Sequence, residues 1–111
     1  MKKHLIMLCH DYRDSVSAAV HADAMRYCYQ AIEQGDIIEQ IFLYQDAVFL
    51  ATQTDHQWLD FARSHHLTIN VCINAANRRG IKTVQAPFAM VGMLEYFACI
   101  AADRSISSVQ F

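Results

Sequence analysis

Residues 67–80 constrain the fold more than any other stretch, because their pattern predicts a β-strand that passes directly into a short helix. Apolar and polar residues alternate up to position 71, as in a strand, and the strand is predicted to end at Cys72. Residues 73–79 then fit a helix that Gly80 stops. At such a junction the first helical N–H groups lack internal partners and carry partial positive charge, which favours a thiolate. Cys72 is therefore the best nucleophile candidate in the chain.

Other strand-like runs alternate with helix-like segments along the chain. The strand-like runs cover residues 4–9, 37–44, 67–71 and, more weakly, 106–111, whereas residues 81–85 fit either a loop or a short strand. This alternation predicts a three-layer α/β sandwich with a mainly parallel sheet of about five strands flanked by helices. With 111 residues and 54% hydrophobic content, we expect one domain spanning residues 1–111.

The first helix is predicted to begin at an N-cap, Asp14 or Ser15, and to end at Gly35. Its predicted buried face consists of apolar residues at helical spacing. They are Val16, Val20, Ala24, Tyr27, Cys28, Ala31 and Ile32. The next helix is predicted to follow a capping box at residues 54–57.

Two apolar segments suggest contacts beyond a single chain. Residues 45–53 read as a loop that is unusually apolar, which favours packing against something such as another subunit. Pro87 suits the first turn of a helix running to about residue 102, charged only at Glu95. A helix apolar nearly all round is most simply buried at a subunit interface.

Charge and cysteine usage exclude several classes of function. A formal net charge of -2 gives no basic field for nucleic-acid binding, so we expect no direct contact with nucleic acid. The four cysteines form no C-x-x-C pair, which favours reduced thiols in the cytoplasm. Glu95 interrupts the longest apolar stretch before it reaches a membrane-spanning length, so we expect no membrane association.

Polar and thiol side chains follow three of the predicted strands. Ligand sites in parallel sheets lie at the carboxyl ends of the strands. Cys9 with His10, Asp46 and Cys72 should therefore lie along one edge of the sheet. Cys9 has a modest prospect of lining the site, and His10 and Asp46 are either groups that polarise a bound reactant or solvated loop side chains.

Arg78 and Arg79 end the helix that follows Cys72. One interpretation is that they are cations stabilising a helix C-terminus. The other is that they dock an acidic partner protein. They lie on the order of 10 Å along the helix from Cys72, too far to act strongly on its thiol.

Three segments resemble the TusD/DsrE family of sulfur-relay proteins. Residues 42–48, F-L-Y-Q-D-A-V, resemble the aromatic strand end and following D-G-V turn of that family. Residues 71–80, V-C-I-N-A-A-N-R-R-G, are similar to its cysteine, alanine-rich helix and R-R-G ending. Asp103, Arg104 and the terminal Phe111 are similar to its closing D-R pair and phenylalanine.

The resemblance implies a DsrE-like (flavodoxin-like) fold and a sulfurtransferase subunit. Cys72 would take up sulfane sulfur as a persulfide and pass it to a carrier protein, without metal or cofactor. TusD-like proteins supply the 2-thio group of wobble uridine in tRNA, whereas DsrE-like ones serve sulfur oxidation. Same-fold sister subunits or copies of the chain would complete a trimer or hexamer, in which a non-catalytic scaffold role is a further alternative.

Two features depart from the family pattern. Ala47 stands where the family has glycine, which alters a turn that glycine would make freely. The segment between Gly80 and Pro87 is shorter than in TusD-like chains, where a longer loop overlies the cysteine. The sequence therefore predicts a Cys72 that is less covered, or covered by a neighbouring subunit.

Overall fold

A single five-stranded sheet forms the centre of the molecule. The computed structural model describes residues 1–103 and 105–111, and within them the strand order is β4-β3-β2-β1-β5 with every neighbouring pair parallel. The strands are β1 Lys3–Leu8, β2 Ile37–Leu43, β3 Ile69–Cys72, β4 Phe88–Val91 and β5 Ser107–Gln110. The predicted α/β sandwich with about five mainly parallel strands is confirmed. The predicted Asp103-Arg104 motif lies partly outside the description, because Arg104 is not among the described residues.

Helices connect the strands and cover both faces of the sheet. They are α1 Ser15–Glu33, a 3₁₀ helix Gln45–Thr52 (hereafter the connector helix), α2 Gln57–Ser64, α3 Ile73–Arg78 and α4 Met93–Ala102. Strands β1 to β4 lie side by side in chain order, so right-handed crossovers place α1 and α2 on one face. The connection from β4 back to β5 carries α4 across the opposite face.

Side-chain contacts agree with this layering. On one face the rings of Tyr29 and Phe61 join α1 to α2, with centroids 5.3 Å apart. On the other face the ring of Tyr96 in α4 lies 5.2 Å from that of Phe42 in β2. The Tyr96 hydroxyl also shares a 2.7 Å hydrogen bond with Ser108 of β5. A three-layer arrangement therefore holds the core between α1, α2, the sheet and α4.

Helix α1 begins as predicted, but its buried face differs in part from the predicted one. The Asp14 carboxylate caps the helix by accepting from the Ser17 N–H at 2.8 Å. Val16, predicted to be buried, is 75% exposed. The buried positions are Ser17, His21, Ala24, Met25, Cys28 and Ala31. Ala24, Cys28 and Ala31 are thus buried as predicted, whereas Val16 is not, and the prediction missed Ser17 and His21 because polar residues were not counted as core residues.

The apolar connection after β2 packs into the protein's own core. Ala47, Val48 and Leu50 are fully buried, so the prediction that this apolar segment packs against something is confirmed, and the protein's own core takes the place suggested for another subunit. The prediction of a loop is wrong, since residues 45–52 form a 3₁₀ helix. The capping box at residues 54–57 is also not formed. Instead His56 is the N-cap of α2, and its Nδ1 accepts from the Leu59 N–H at 3.1 Å.

The predicted long helix from Pro87 is a strand followed by a shorter helix. The Pro87 carbonyl accepts from the Ile69 N–H at 2.9 Å, and β4 then pairs with β3. Proline fits here because β4 is an edge strand and Pro87 lies just before it. Helix α4 begins only at Met93.

Helix α4 is largely exposed within the single chain, and its burial at a subunit interface stays a prediction. Each of its residues is described, and Tyr96 alone is buried, while Leu94 is 83% and Phe97 52% exposed. None of the helices in the described ranges has the length and apolarity needed to cross a membrane.

Candidate functional site

The carboxyl edge of the sheet brings three strand ends together. Cys9 follows β1, Tyr44 follows β2 and Cys72 ends β3, and all three strands are parallel neighbours in the order β3-β2-β1. The Tyr44 N–H donates to the Leu8 carbonyl oxygen at 2.8 Å, so these ends are in register. Cys72 and Cys9 therefore lie at the same edge with one strand between them.

Cys72 occupies the predicted junction between a strand and a helix. It pairs with Val91 as the last residue of β3 and is also the N-cap of α3. Its side chain forms no capping hydrogen bond within the described residues. Local sequence explains this geometry, since β3 is apolar and alanine-rich α3 follows at once.

Cys72 is enclosed rather than open. The residue is 3% exposed, so the prediction that a short segment after Gly80 would leave it less covered by its own chain is wrong. The cover does not need a long loop, because the connector helix packs against both β3 and α3. Reaction with another protein therefore requires this junction to open.

Helix α3 ends as the sequence predicts. Gly80 has φ of +77°, a conformation that glycine adopts without a side-chain penalty. The Ile81 N–H then donates to the Ala76 carbonyl oxygen at 2.9 Å, and Ile81 is buried. Ala75 and Ala76 are the buried residues of this six-residue helix.

An ion pair joins two of the predicted site residues. Arg79, the C-cap of α3, places Nε and Nη2 each 2.9 Å from Asp46 Oδ1 on the connector helix. Arg79 Nη1 also donates to the Ala75 carbonyl oxygen at 3.0 Å. The Arg79 side chain is thus engaged within the chain. Arg78 is exposed and makes no ion pair with the described residues.

The other thiols lie apart from Cys72. Two strand spacings place Cys9 on the order of 10 Å from Cys72. Cys9 is buried, and burial raises the pKa of its thiol, partly offset by a hydrogen bond from Gln110. Burial raises the pKa of Cys28, in α1, to about 12. On the α4 face, the Gln40 side-chain N–H donates a hydrogen bond to Cys99 Sγ at 3.4 Å.

His10 contributes its backbone rather than its side chain. The side chain is exposed, while the His10 carbonyl oxygen lies 2.6 Å from His21 Nε2. His21 and His56, both buried in this region, were not predicted from the sequence. Isolated histidines in helical patterns do not show by spacing whether they face the core.

No metal centre is formed by the residues that the structure describes, since no three His, Cys, Asp or Glu side chains are grouped suitably. Two buried thiols, those of Cys72 and Cys9, lie at this edge with one strand between them. Around Cys72 lie the alanine-lined helix α3, the connector helix and the Asp46–Arg79 ion pair.

The fold and this edge define a class of protein: a DsrE-like α/β fold with a cysteine at the carboxyl edge of its sheet. The solved structure titled "Crystal structure of ychN protein from E.coli" has the same fold, with a TM-score of 0.73 at 18% identity, covering 98% of this chain and 100% of that one. No protein-family model matches the chain.

Curated relatives carry the comparison further. The chain is 28% identical over 97 residues to the "Sulfurtransferase TusD homolog" of Pasteurella multocida, covering 68% of this chain and 77% of the relative. It is 30% identical over 73 residues to that of Vibrio cholerae, covering 57% of this chain and 56% of the relative. For the "Sulfurtransferase TusD" of Serratia proteamaculans the identity is 27% over 74 residues, with 58% and 57% covered.

These matches confirm the resemblance to the TusD/DsrE family. The chain spans a little over half the length of the Vibrio and Serratia relatives and 77% of the Pasteurella one. The relatives are named sulfurtransferases, and the chain is similar to them in sequence and to ychN in fold.

Proposed function

We propose that this chain is a sulfurtransferase subunit that carries sulfane sulfur as a persulfide on Cys72 and passes it to a partner carrier protein. The observation that carries the proposal is the position of Cys72 at the β3–α3 junction, on the carboxyl edge of a sheet in a chain that resembles TusD sulfurtransferases. We place this activity in the cytoplasm, where a thiol stays reduced.

The chemistry needs one thiolate and no external oxidant. The Cys72 thiolate attacks the terminal sulfur of a donor persulfide, the donor sulfur–sulfur bond breaks, and the donor leaves as a thiolate. Cys72 then holds the sulfur as Cys72–S–SH. An acceptor thiolate attacks that terminal sulfur in turn and restores the Cys72 thiolate. Each step exchanges one sulfur–sulfur bond for another.

The surroundings of Cys72 suit storage of a persulfide. A second thiol nearby would convert the persulfide into a disulfide. Cys9 is two strands away, and Cys28 lies in α1. Enclosure by the connector helix and α3 protects the stored sulfur from small thiols, provided that the junction opens for the donor and acceptor.

Mass spectrometry tests the carrier role directly. Incubation with a cysteine desulfurase and cysteine should add about 32 Da, one sulfur atom, to the intact chain. Cys72→Ser should gain nothing, while Cys99→Ser should gain the same mass as the unmodified chain. Sulfur uptake by Cys72→Ser would exclude Cys72 as the carrier.

For the destination of the sulfur we propose 2-thiolation of wobble uridine in tRNA, with same-fold subunits as partners. The TusD-named relatives support this choice over a DsrE-like role in sulfur oxidation. In a bacterial host whose own TusD gene is deleted, the chain should restore 2-thiouridine in tRNA and Cys72→Ser should not. Restoration of sulfur oxidation alone would favour the DsrE-like role.

A scaffold role is the second candidate function. The 3% exposure of Cys72 and the exposed Leu94 and Phe97 favour a subunit whose main task is assembly. A scaffold would bind its partner subunits without gaining sulfur, and Cys72→Ser would support tRNA thiolation as well as the unmodified chain does.

A further inference from the structure

We propose that the Asp46–Arg79 ion pair is a clamp that keeps Cys72 enclosed, so that breaking the pair opens the site. The biological use of this clamp rests on the proposed sulfur-carrier function of Cys72. Neither residue would contact the sulfur, so both are positioning residues. The inference concerns access to the thiol, which can be measured without any sulfur transfer.

The clamp acts from the opposite end of the helix that Cys72 begins. Cys72 is the N-cap and Arg79 the C-cap of α3, six residues long and therefore roughly 9 Å in length. The guanidinium of Arg79 binds its own helix at the Ala75 carbonyl oxygen and the connector helix at Asp46. One side chain thus fixes α3 against the element that covers the junction.

Few other contacts of α3 compete with this clamp. Its buried side chains are those of Ala75 and Ala76, which remove little apolar surface from water. A helix of this length is not stable by itself, because nucleation is unfavourable and few hydrogen bonds repay it. Beyond the clamp, the C-terminal end is held by backbone hydrogen bonds within the same segment, from the Arg79 and Ile81 N–H groups to the Ala76 carbonyl oxygen and from the Gly80 N–H to the Asn77 carbonyl oxygen. None of these bonds joins α3 to the connector helix. Loss of the ion pair should therefore loosen α3 and with it Cys72.

The clamp is within reach of solvent and of an approaching protein. The Arg79 side chain is 25% exposed and that of Asp46 is 63% exposed. Dissolved salt weakens such a pair by screening. A carboxylate on a docking carrier protein would compete with Asp46 for Arg79, which couples docking to opening of the site.

The test is native-state alkylation of the full chain with iodoacetamide, followed by peptide mass spectrometry of each cysteine. Arg79→Gln and Asp46→Asn should each raise the alkylation rate of Cys72 roughly two- to fivefold. The double variant should match Arg79→Gln, because Arg79→Gln already removes both the ion pair and the bond to the Ala75 carbonyl oxygen, whereas Asp46→Asn removes the ion pair alone. Raising the salt concentration should move the rate for the unmodified chain toward that of Arg79→Gln.

Arg78→Gln is the matched control, since Arg78 is the exposed neighbour without an ion pair to the described residues. It should change the Cys72 rate by less than about twofold. Cys28, fully buried in α1, reports general unfolding within the same sample. Equal Cys72 rates for Arg79→Gln and Arg78→Gln, or a parallel increase at Cys28, would overturn the clamp.

The experiments can reject the clamp proposal and the sulfur-carrier proposal independently of each other. Faster alkylation in Arg79→Gln with no sulfur uptake at Cys72 would retain the clamp and reject the proposed function. Sulfur uptake with unchanged alkylation would do the reverse.

Discussion

Trp58 Nε1 donates a hydrogen bond to Nδ1 of His21 across the interface between α1 and α2, with the two atoms 2.9 Å apart. Since Nδ1 accepts this bond, the proton of the neutral imidazole is on Nε2, which donates to the His10 carbonyl oxygen at 2.6 Å. Both nitrogens of this buried ring are therefore engaged only while the ring is neutral. A proton on Nδ1 would break the bond from Trp58.

This arrangement predicts a loss of stability in mild acid. Burial lowers the pKa of His21 and also that of His56, whose Nδ1 caps α2. In the unfolded chain both should titrate near pH 6.5. Below that pH the unfolded chain binds more protons than the folded one, so the free energy of unfolding should fall as the pH drops. Urea unfolding at pH 7.5, 6.5 and 5.5 measures this.

His66→Asn is the control for that experiment. His66 is exposed and has φ of +54°, which asparagine tolerates. Its removal should leave the slope of stability against pH unchanged, whereas His21→Gln should flatten it. An equally steep slope in His21→Gln would show that the acid sensitivity has another source.

Trp58→Phe should destabilise the fold by about 1–3 kcal/mol beyond the loss of ring size, because it leaves His21 Nδ1 buried without a donor. The effects of changing Trp58 and of changing His21 on stability should be coupled. In a His21→Leu background, Trp58→Phe should cost less, since no buried acceptor remains to be left unpaired. Chemical denaturation of the four proteins gives the coupling free energy, and additive costs would contradict the assigned hydrogen bond.

The sequence alone correctly predicted the elements whose local residue pattern agrees with their environment in the folded protein. Strand β3, the junction at Cys72 and the glycine stop at Gly80 are of this kind. The full buried face of α1 was not predictable from apolar spacing, because it includes two polar residues: Ser17, which bonds the N-cap Asp14, and His21, whose partners are the His10 carbonyl oxygen and Trp58. Strand β4 was missed because Pro87 has the same local preference before an edge strand as in a first helical turn.

In the candidate site too, the sequence predicted the local features and missed those that depend on tertiary contacts. Cys72 was identified from one contiguous segment, whereas the partnership of Asp46 with Arg79 joins residues 33 positions apart. Only the packing of the connector helix on α3 brings these two charges together. The enclosure of Cys72 likewise depends on tertiary contacts, which is why a short following segment did not predict it.

Leu94 and Phe97 should support association rather than folding of the single chain. Both are exposed on α4, and we expect the trimer or hexamer implied by the family resemblance to use this face. Leu94→Ser and Phe97→Ser should each lower the assembled fraction in native mass spectrometry, with little change in secondary structure. Val16→Ser, at the similarly exposed Val16 of α1, should not. If the chain assembles equally well with either α4 variant, this face is not the interface.

Ala47 and Gln45 allow a direct test of where glycine fits in the turn after β2. The left-handed residue there is Gln45, with φ of +52°, whereas Ala47 lies inside the connector helix and is fully buried. Gln45→Gly should therefore stabilise the chain by up to about 1 kcal/mol, because glycine adopts this φ without strain. Ala47→Gly should destabilise it by about 1–2 kcal/mol through added backbone freedom and a lost buried methyl group.

Thermal and urea unfolding would compare both variants with the unmodified chain. A stabilising Ala47→Gly would mean that position 47 needs the left-handed conformation. The opposite signs follow from the left-handed backbone at Gln45 and from the burial of Ala47 inside a helix.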